Sequence, residues 1–160
     1  MYGAYWNAGQ VCCATERVLV HSAVHDEFVA ALRVASAAAV LGDPFDEATT
    51  LGPLNNEATA AKMDAHVADA VERGAQVVLG GGRVGGYPTD LYYGLTVLDG
   101  VTREMRVARE ESFGPVVPVM TADSDAELLA IANSDALGLD RKSTRLNSSH
   151  SSVSRMPSSA

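Results

Sequence analysis

The chain has 160 residues, 47% of them hydrophobic, which suffices for one domain with a real core and not for two of ordinary size. Its formal charge of −8 is uneven: from Asp140 onward four basic residues face one acid, a net of +3 that leaves −11 on the first 139 residues. An acidic body repels phosphate backbones, so nucleic acid is not expected as a partner.

No stretch reaches the roughly 18 uninterrupted apolar residues of a membrane span. The opening Met1-Tyr-Gly-Ala-Tyr-Trp-Asn7 has neither the basic region nor the apolar run of a secretory signal. No membrane partner and a cytoplasmic, reducing location are therefore expected. The two cysteines, Cys12 and Cys13, are adjacent. A bridge between neighbours strains the intervening peptide, which rules out a disulfide scaffold and leaves two thiols, structural or reactive.

In chain order, Glu16–His21 is β-branched and apolar at its centre and predicts a short buried strand. Ser22 then offers a helix N-cap, with Asp26 and Glu27 in the first turn. Val24, Phe28, Ala31, Leu32 and Ala35 recur at helical spacing and predict an amphipathic helix to about Leu41, stopped by Gly42 and Pro44. A turn-rich loop through Gly52-Pro53 leads to a second helix from about Asn56 to Arg73. Met63, Val67 and Val71 line its apolar face, His66 is expected to be partly exposed, and Gly74 ends it.

Gln76–Leu79 reads as a second strand and Leu91–Leu98 as a third. Pro115–Met120 reads as a fourth, its prolines suggesting an edge or a strand end. A capping box, Ser124-Asp-Ala-Glu127, opens a last helix carrying Leu128, Leu129 and Ala132. Strands alternating with helices over short connections define an α/β fold, a mostly parallel sheet flanked by helices.

Asp140–Ala160 breaks the pattern, with eight serines in 21 residues and no periodicity, and reads as a disordered tail. Its Arg141-Lys-Ser-Thr-Arg-Leu-Asn-Ser-Ser-His150 resembles the translated read-through of a sequencing adaptor. A basic nucleic-acid arm is the alternative, disfavoured because the segment has no aromatic residue and few charges.

Four features invite chemical readings. Gly80-Gly-Gly-Arg-Val-Gly85 satisfies Gly-x-Gly-x-x-Gly after a strand, but Gly86-Tyr-Pro88 follows where a phosphate-binding helix should open, so a surface loop is expected. His21 and His25 lack the further ligands that zinc wants, and no metal site is expected. In Asn7-Ala-Gly9-Gln10-Val11-Cys12-Cys13-Ala14, small residues around a thiol let the backbone approach a ligand closely, although free cysteines are also common in cores. In Glu110-Glu111-Ser-Phe113-Gly114-Pro115, two adjacent carboxylates invite an acid/base reading, although sequence neighbours usually point apart.

Together the last two segments resemble the signatures of the aldehyde dehydrogenase superfamily, at the separation that family shows. The likeness continues through Leu41-Gly-Asp-Pro-Phe-Asp46, Leu51-Gly-Pro53, Glu72–Gly81 and Ala132–Leu139, so it covers residues 1–139 as a partial catalytic domain. The resemblance implies that Cys12 attacks the aldehyde carbon. It also implies that Glu111 holds the ribose beside the nicotinamide of NAD or NADP and that Phe113 packs near the ring. Cys13, Val11 and Trp6 become candidates for the substrate pocket. By the same resemblance the product is a carboxylic acid, formed through a thiohemiacetal and a thioester. The base glutamate, the oxyanion asparagine and most of the dinucleotide fold would precede Met1, so the chain reads as an enzyme fragment, inactive alone, of a homo-oligomeric parent. Glu16 lies in the wrong place to be that base. Two other readings stand beside this one: a non-catalytic α/β interaction module, and a thiol redox protein using Cys12 and Cys13.

Overall fold

The computed structural model describes residues 2–134; the disordered tail expected over 140–160 and the end of the Ala132–Leu139 likeness lie outside the described residues. Four strands form one sheet: β1 (Val18–His21), β2 (Gln76–Leu79), β3 (Thr96–Asp99) and β4 (Val116–Ala122). Their order is β1-β4-β3-β2, with β4 parallel to both β1 and β3, and β2 antiparallel to β3. Helices α1 (Tyr2–Tyr5), α2 (His25–Ala37), α3 (Glu57–Glu72), α4 (Arg106–Arg109) and α5 (Asp125–Ala132) surround it. The α/β class with a mostly parallel sheet is as expected.

β4 is the spine. Six of its seven residues are buried, and Val117 and Val119 are fully enclosed. The prolines suggested an edge or a strand end: Pro115 does stand just before the strand's first residue, whereas Pro118 lies inside a strand with two partners. Pro118 is tolerated because it falls where pairing with β3 (Val116–Pro118) hands over to pairing with β1 (Val119–Ala122), so its missing N–H interrupts little of the ladder. The third strand is shorter than expected. Leu91–Leu95 pairs irregularly with Gly82–Val84, through Val84 N–H to Tyr92 O (2.8 Å) and Gly94 N–H to Gly82 O (3.0 Å), and only Thr96 onward joins the sheet.

α2 differs most from expectation. Ser22 does not cap it; Ser22–Val24 forms a 3-10 turn in which the His21 ring Nδ1 accepts from Ala23 N–H at 3.1 Å. The buried stripe is Val29, Leu32 and Ser36, while Val24, Phe28, Ala31 and Ala35 face outward. Of the five predicted core positions only Leu32 is right. The helix also ends at Ala37 rather than Leu41, because Val40–Gly42 pairs with Thr50–Leu51: Val40 O accepts from both Thr50 and Leu51 N–H, and Leu41 bridges Leu51.

α3 fits its prediction in extent. The Asn56 side chain accepts from Thr59 N–H at 2.9 Å at its start, and Gly74 takes φ +98° after its end. Its buried face is Ala60, Met63, His66, Val67 and Ala70; Val71 is exposed, and His66 is fully buried rather than partly exposed. In α5 the Ser124 side chain caps Glu127 N–H, as the capping box predicts, but Ile131 is the residue it buries, with Leu129 and Ala132 exposed. Gly80–Gly85 opens no helix: it is a loop, and Arg83 bridges Tyr93.

Candidate active site

The cysteine segment begins at α1, anchored where the Tyr5 hydroxyl donates to Thr96 O of β3 (3.3 Å); burial pushes that phenol up to about 12. The chain then reverses through left-handed backbone at Asn7 (φ 51°), Ala8 (φ 56°) and Gly9 (φ 72°). Asparagine adopts this conformation more readily than most residues, whereas for alanine it costs on the order of 1 kcal/mol. Two side chains brace the reversal. Gln10 Nε2 donates to Asn7 O (3.1 Å) while its Oε1 accepts from Asn55 N–H (2.9 Å), and Asn7 Nδ2 donates to Gln10 O (3.3 Å). A turn closed by Ala14 N–H to Val11 O (3.1 Å) then presents Cys12 and Cys13 at the surface, both as thiols. Val11 is half-buried and Trp6 is exposed.

The second segment packs against this one. Gly9 and Gly114 meet backbone to backbone so closely that a Cβ on Gly9 would lie 2.2 Å from Gly114 O. On its other side Gly114 rests on Met63 of α3, where a Cβ would lie 2.2 Å from the sulfur. Close approach thus requires glycine at Gly9, where backbone blocks a Cβ, whereas at Gly114 the Met63 side chain would have to move. Phe113, half-buried, is the one other non-glycine residue with positive φ (55°) among the described residues. All three strained non-glycine positions therefore lie in these two loops.

The two neighbouring carboxylates do separate. Glu110 joins Arg106 (2.9 Å) and His66 Nε2 (3.1 Å), and the Arg106 guanidinium, with His66 second, holds its carboxyl down to about 2. His66 itself is pushed below the ordinary histidine range, because burial disfavours its charged form. Glu111 is exposed; its carbonyl accepts from Lys62 Nζ at 3.1 Å, and its carboxylate has no partner among the described residues. The Glu16 carboxylate, set aside on spacing alone, accepts from Ser112 N–H (2.8 Å) and Phe113 N–H (3.4 Å). Lys62, His66 and Arg106 also support this loop. No motif marks them, and the one available signal is that Lys62 and His66 stand four apart on α3.

The histidine pair of the sequence splits. His21 serves its own turn, and His25 bridges Asp99 and Asp26 at 2.8 Å each. No cluster of three metal-ligating side chains occurs among the described residues. No helix among them is long and apolar enough to cross a membrane.

Residues 1–144 match the aldehyde dehydrogenase family. The mitochondrial succinate-semialdehyde dehydrogenase of Rattus norvegicus is 43% identical over 142 residues, covering 87% of this chain and 26% of the rat protein. The crystal structure of succinate-semialdehyde dehydrogenase from Burkholderia pseudomallei superposes with a TM-score of 0.82 at 39% identity, over 85% of this chain and 28% of that one. A mutant aldehyde dehydrogenase C from Pseudomonas syringae, crystallised with NAD+ and octanal, gives 0.81 at 38% identity, over 86% and 29%. A strand order with β4 at its centre and two strained loops sharing one seam are thus set in a fold common to these enzymes. The chain belongs to the aldehyde dehydrogenase family. It spans about a quarter of the length of these relatives.

Proposed function

We propose that this chain carries the nucleophile and part of the nicotinamide site of an NAD(P)+-dependent aldehyde dehydrogenase that oxidises an aldehyde to a carboxylic acid. The observation that carries the reading is the seam at Gly9 and Gly114, which puts the thiol loop and the Glu111–Phe113 loop side by side. The residues present suit a dinucleotide: an exposed carboxylate with no partner among the described residues, available to a ribose hydroxyl, next to a half-buried aromatic ring. When bound, the nicotinamide supplies the acceptor for a hydride.

Cys12, as thiolate, forms a bond from sulfur to the aldehyde carbon, and the carbonyl electron pair moves to oxygen. The Cys12 backbone amide in the exposed turn is the donor that this chain supplies to the oxyanion. Loss of hydride from the same carbon leaves a thioester, and water then releases the acid and returns the thiol. Glu111 and Phe113 orient the acceptor, while Trp6, Val11 and Cys13 line the approach of the aldehyde. Relatives named for succinate semialdehyde, betaine aldehyde and vanillin share the aldehyde carbonyl alone, so the substrate class proposed is that group. We place the enzyme in the cytoplasm, working as a homo-oligomer.

The test is Cys12→Ser beside Cys13→Ser in the polypeptide as the gene expresses it. Cys12→Ser is expected to lower aldehyde-dependent NAD(P)H formation at least about a thousandfold. Cys13→Ser should change KM for the aldehyde while kcat stays within the same order. An active Cys12→Ser enzyme sinks the reading. The isolated 160-residue chain is expected to reduce no NAD+ above its own Cys12→Ser control.

A further inference from the structure

Glu16 lies four residues after Cys12, in the half-buried extended segment that enters β1. Its two carboxylate oxygens reach consecutive amides across the seam, Ser112 N–H at 2.8 Å and Phe113 N–H at 3.4 Å, over a sequence separation of 96 and 97 residues. Neither amide has another acceptor among the described residues. Ser112 is buried, so its N–H cannot turn to water instead. Phe113 sits in left-handed backbone, which a bulky residue holds only where the surroundings over-determine it. Consecutive amides converging on an anion make a concave nest, and a carboxylate fills it with charge-assisted bonds.

Glu16 has no path to the base role, since its oxygens are committed to these amides. We propose that Glu16 is a positioning residue: it fixes Glu111 and Phe113 relative to Cys12, so that the thiol and the nicotinamide site move as one unit. This rests on the aldehyde dehydrogenase reading above. Lys62 completes the hold from the opposite charge, taking Glu111 O at 3.1 Å, so three successive residues of the loop are tied through their backbone.

The experiment compares Glu16→Ala, Glu16→Gln and Glu16→Asp in the polypeptide as expressed. Hydrogen exchange at the Ser112 and Phe113 amides reads the tie without reference to activity. It should quicken at least about tenfold in Glu16→Ala, with the β4 amides unchanged. NAD+ and NADP+ affinity, read by protein fluorescence, should weaken roughly tenfold in Glu16→Gln and recover in part in Glu16→Asp. Alkylation of Cys12 by iodoacetamide should keep its wild-type rate in Glu16→Gln. If Glu16→Ala does not fold, Glu16→Gln carries both readouts. Unchanged amide exchange overturns the proposal, as does faster exchange with unaltered dinucleotide affinity. A wild-type protein that binds neither dinucleotide overturns the functional reading and the proposal with it. Wild-type binding that Glu16→Gln leaves intact overturns this proposal alone.

Discussion

Ala8, Gly9 and Gly114 show how little room the seam leaves. Gly9→Ala would drive a Cβ into the Gly114 carbonyl while also holding φ 72°, and neither backbone can yield. We expect it to cost about 3 kcal/mol. Gly74→Ala, at φ +98° with nothing within 4 Å of its Cβ, pays for backbone conformation alone, about 1 kcal/mol. The midpoints of urea unfolding at constant m decide this, and equal costs would mean that the contact with Gly114 does not constrain the fold. Ala8 runs the other way. Ala8→Gly relieves an alanine at φ 56° and should gain about 1 kcal/mol, while kcat falls because the turn presenting Cys12 becomes looser. A gain in both stability and kcat would show that the strain serves nothing.

α3 is the element on which the second loop rests. Glu57 and Asp64 hold Arg83, Lys62 holds Glu111 O, His66 holds Glu110, and Asp69 accepts from Arg106 N–H. Its cap is testable directly: Asn56→Ala frees Thr59 N–H and should cost about 1 kcal/mol in urea unfolding. His66 makes the support sensitive to pH. Burial keeps it neutral in the fold, so below the unfolded value of 6.5 the unfolded chain takes up a proton that the native state refuses, and acid favours unfolding. Glu110 adds a loss between its ordinary 4.5 and about 2, muted by solvent because its side chain is 45% exposed. His25 opposes both. Asp99 and then Asp26 raise it, so its contribution is full below 6.5 and fades as pH rises through the higher folded value. Urea unfolding from pH 8 to 5 should therefore show a shallower acid-side loss in His66→Gln than in wild type. Parallel curves would remove His66 as the cause.

Across the whole molecule, the legible parts were those whose signals are local. The caps at Asn56 and Ser124, Gly74 after α3 and the β-branched runs of β1 and β2 each act through neighbours in sequence, and each appears where expected. The phase of α2 was not legible, because alanine fits either face and a 3-10 turn reset the register. Pro118 suggested an edge or a strand end, and its actual place, at a change of partners inside the strand, depends on strands far away in sequence. The two loops were recognisable by motif, whereas Glu16 and His66 act through partners 96 and 44 residues distant and leave no periodic trace.

That long reach has a consequence during biosynthesis. Among the described strands, the one at the middle of the sheet is made last, and it must slot between two neighbours, one of them made about a hundred residues earlier. Until it arrives, the seam between Gly9 and Gly114 cannot close, and unpaired strand edges invite association with other chains. Yield of correctly assembled protein should thus depend more on translation speed and chaperone supply than on the equilibrium strength of any one contact.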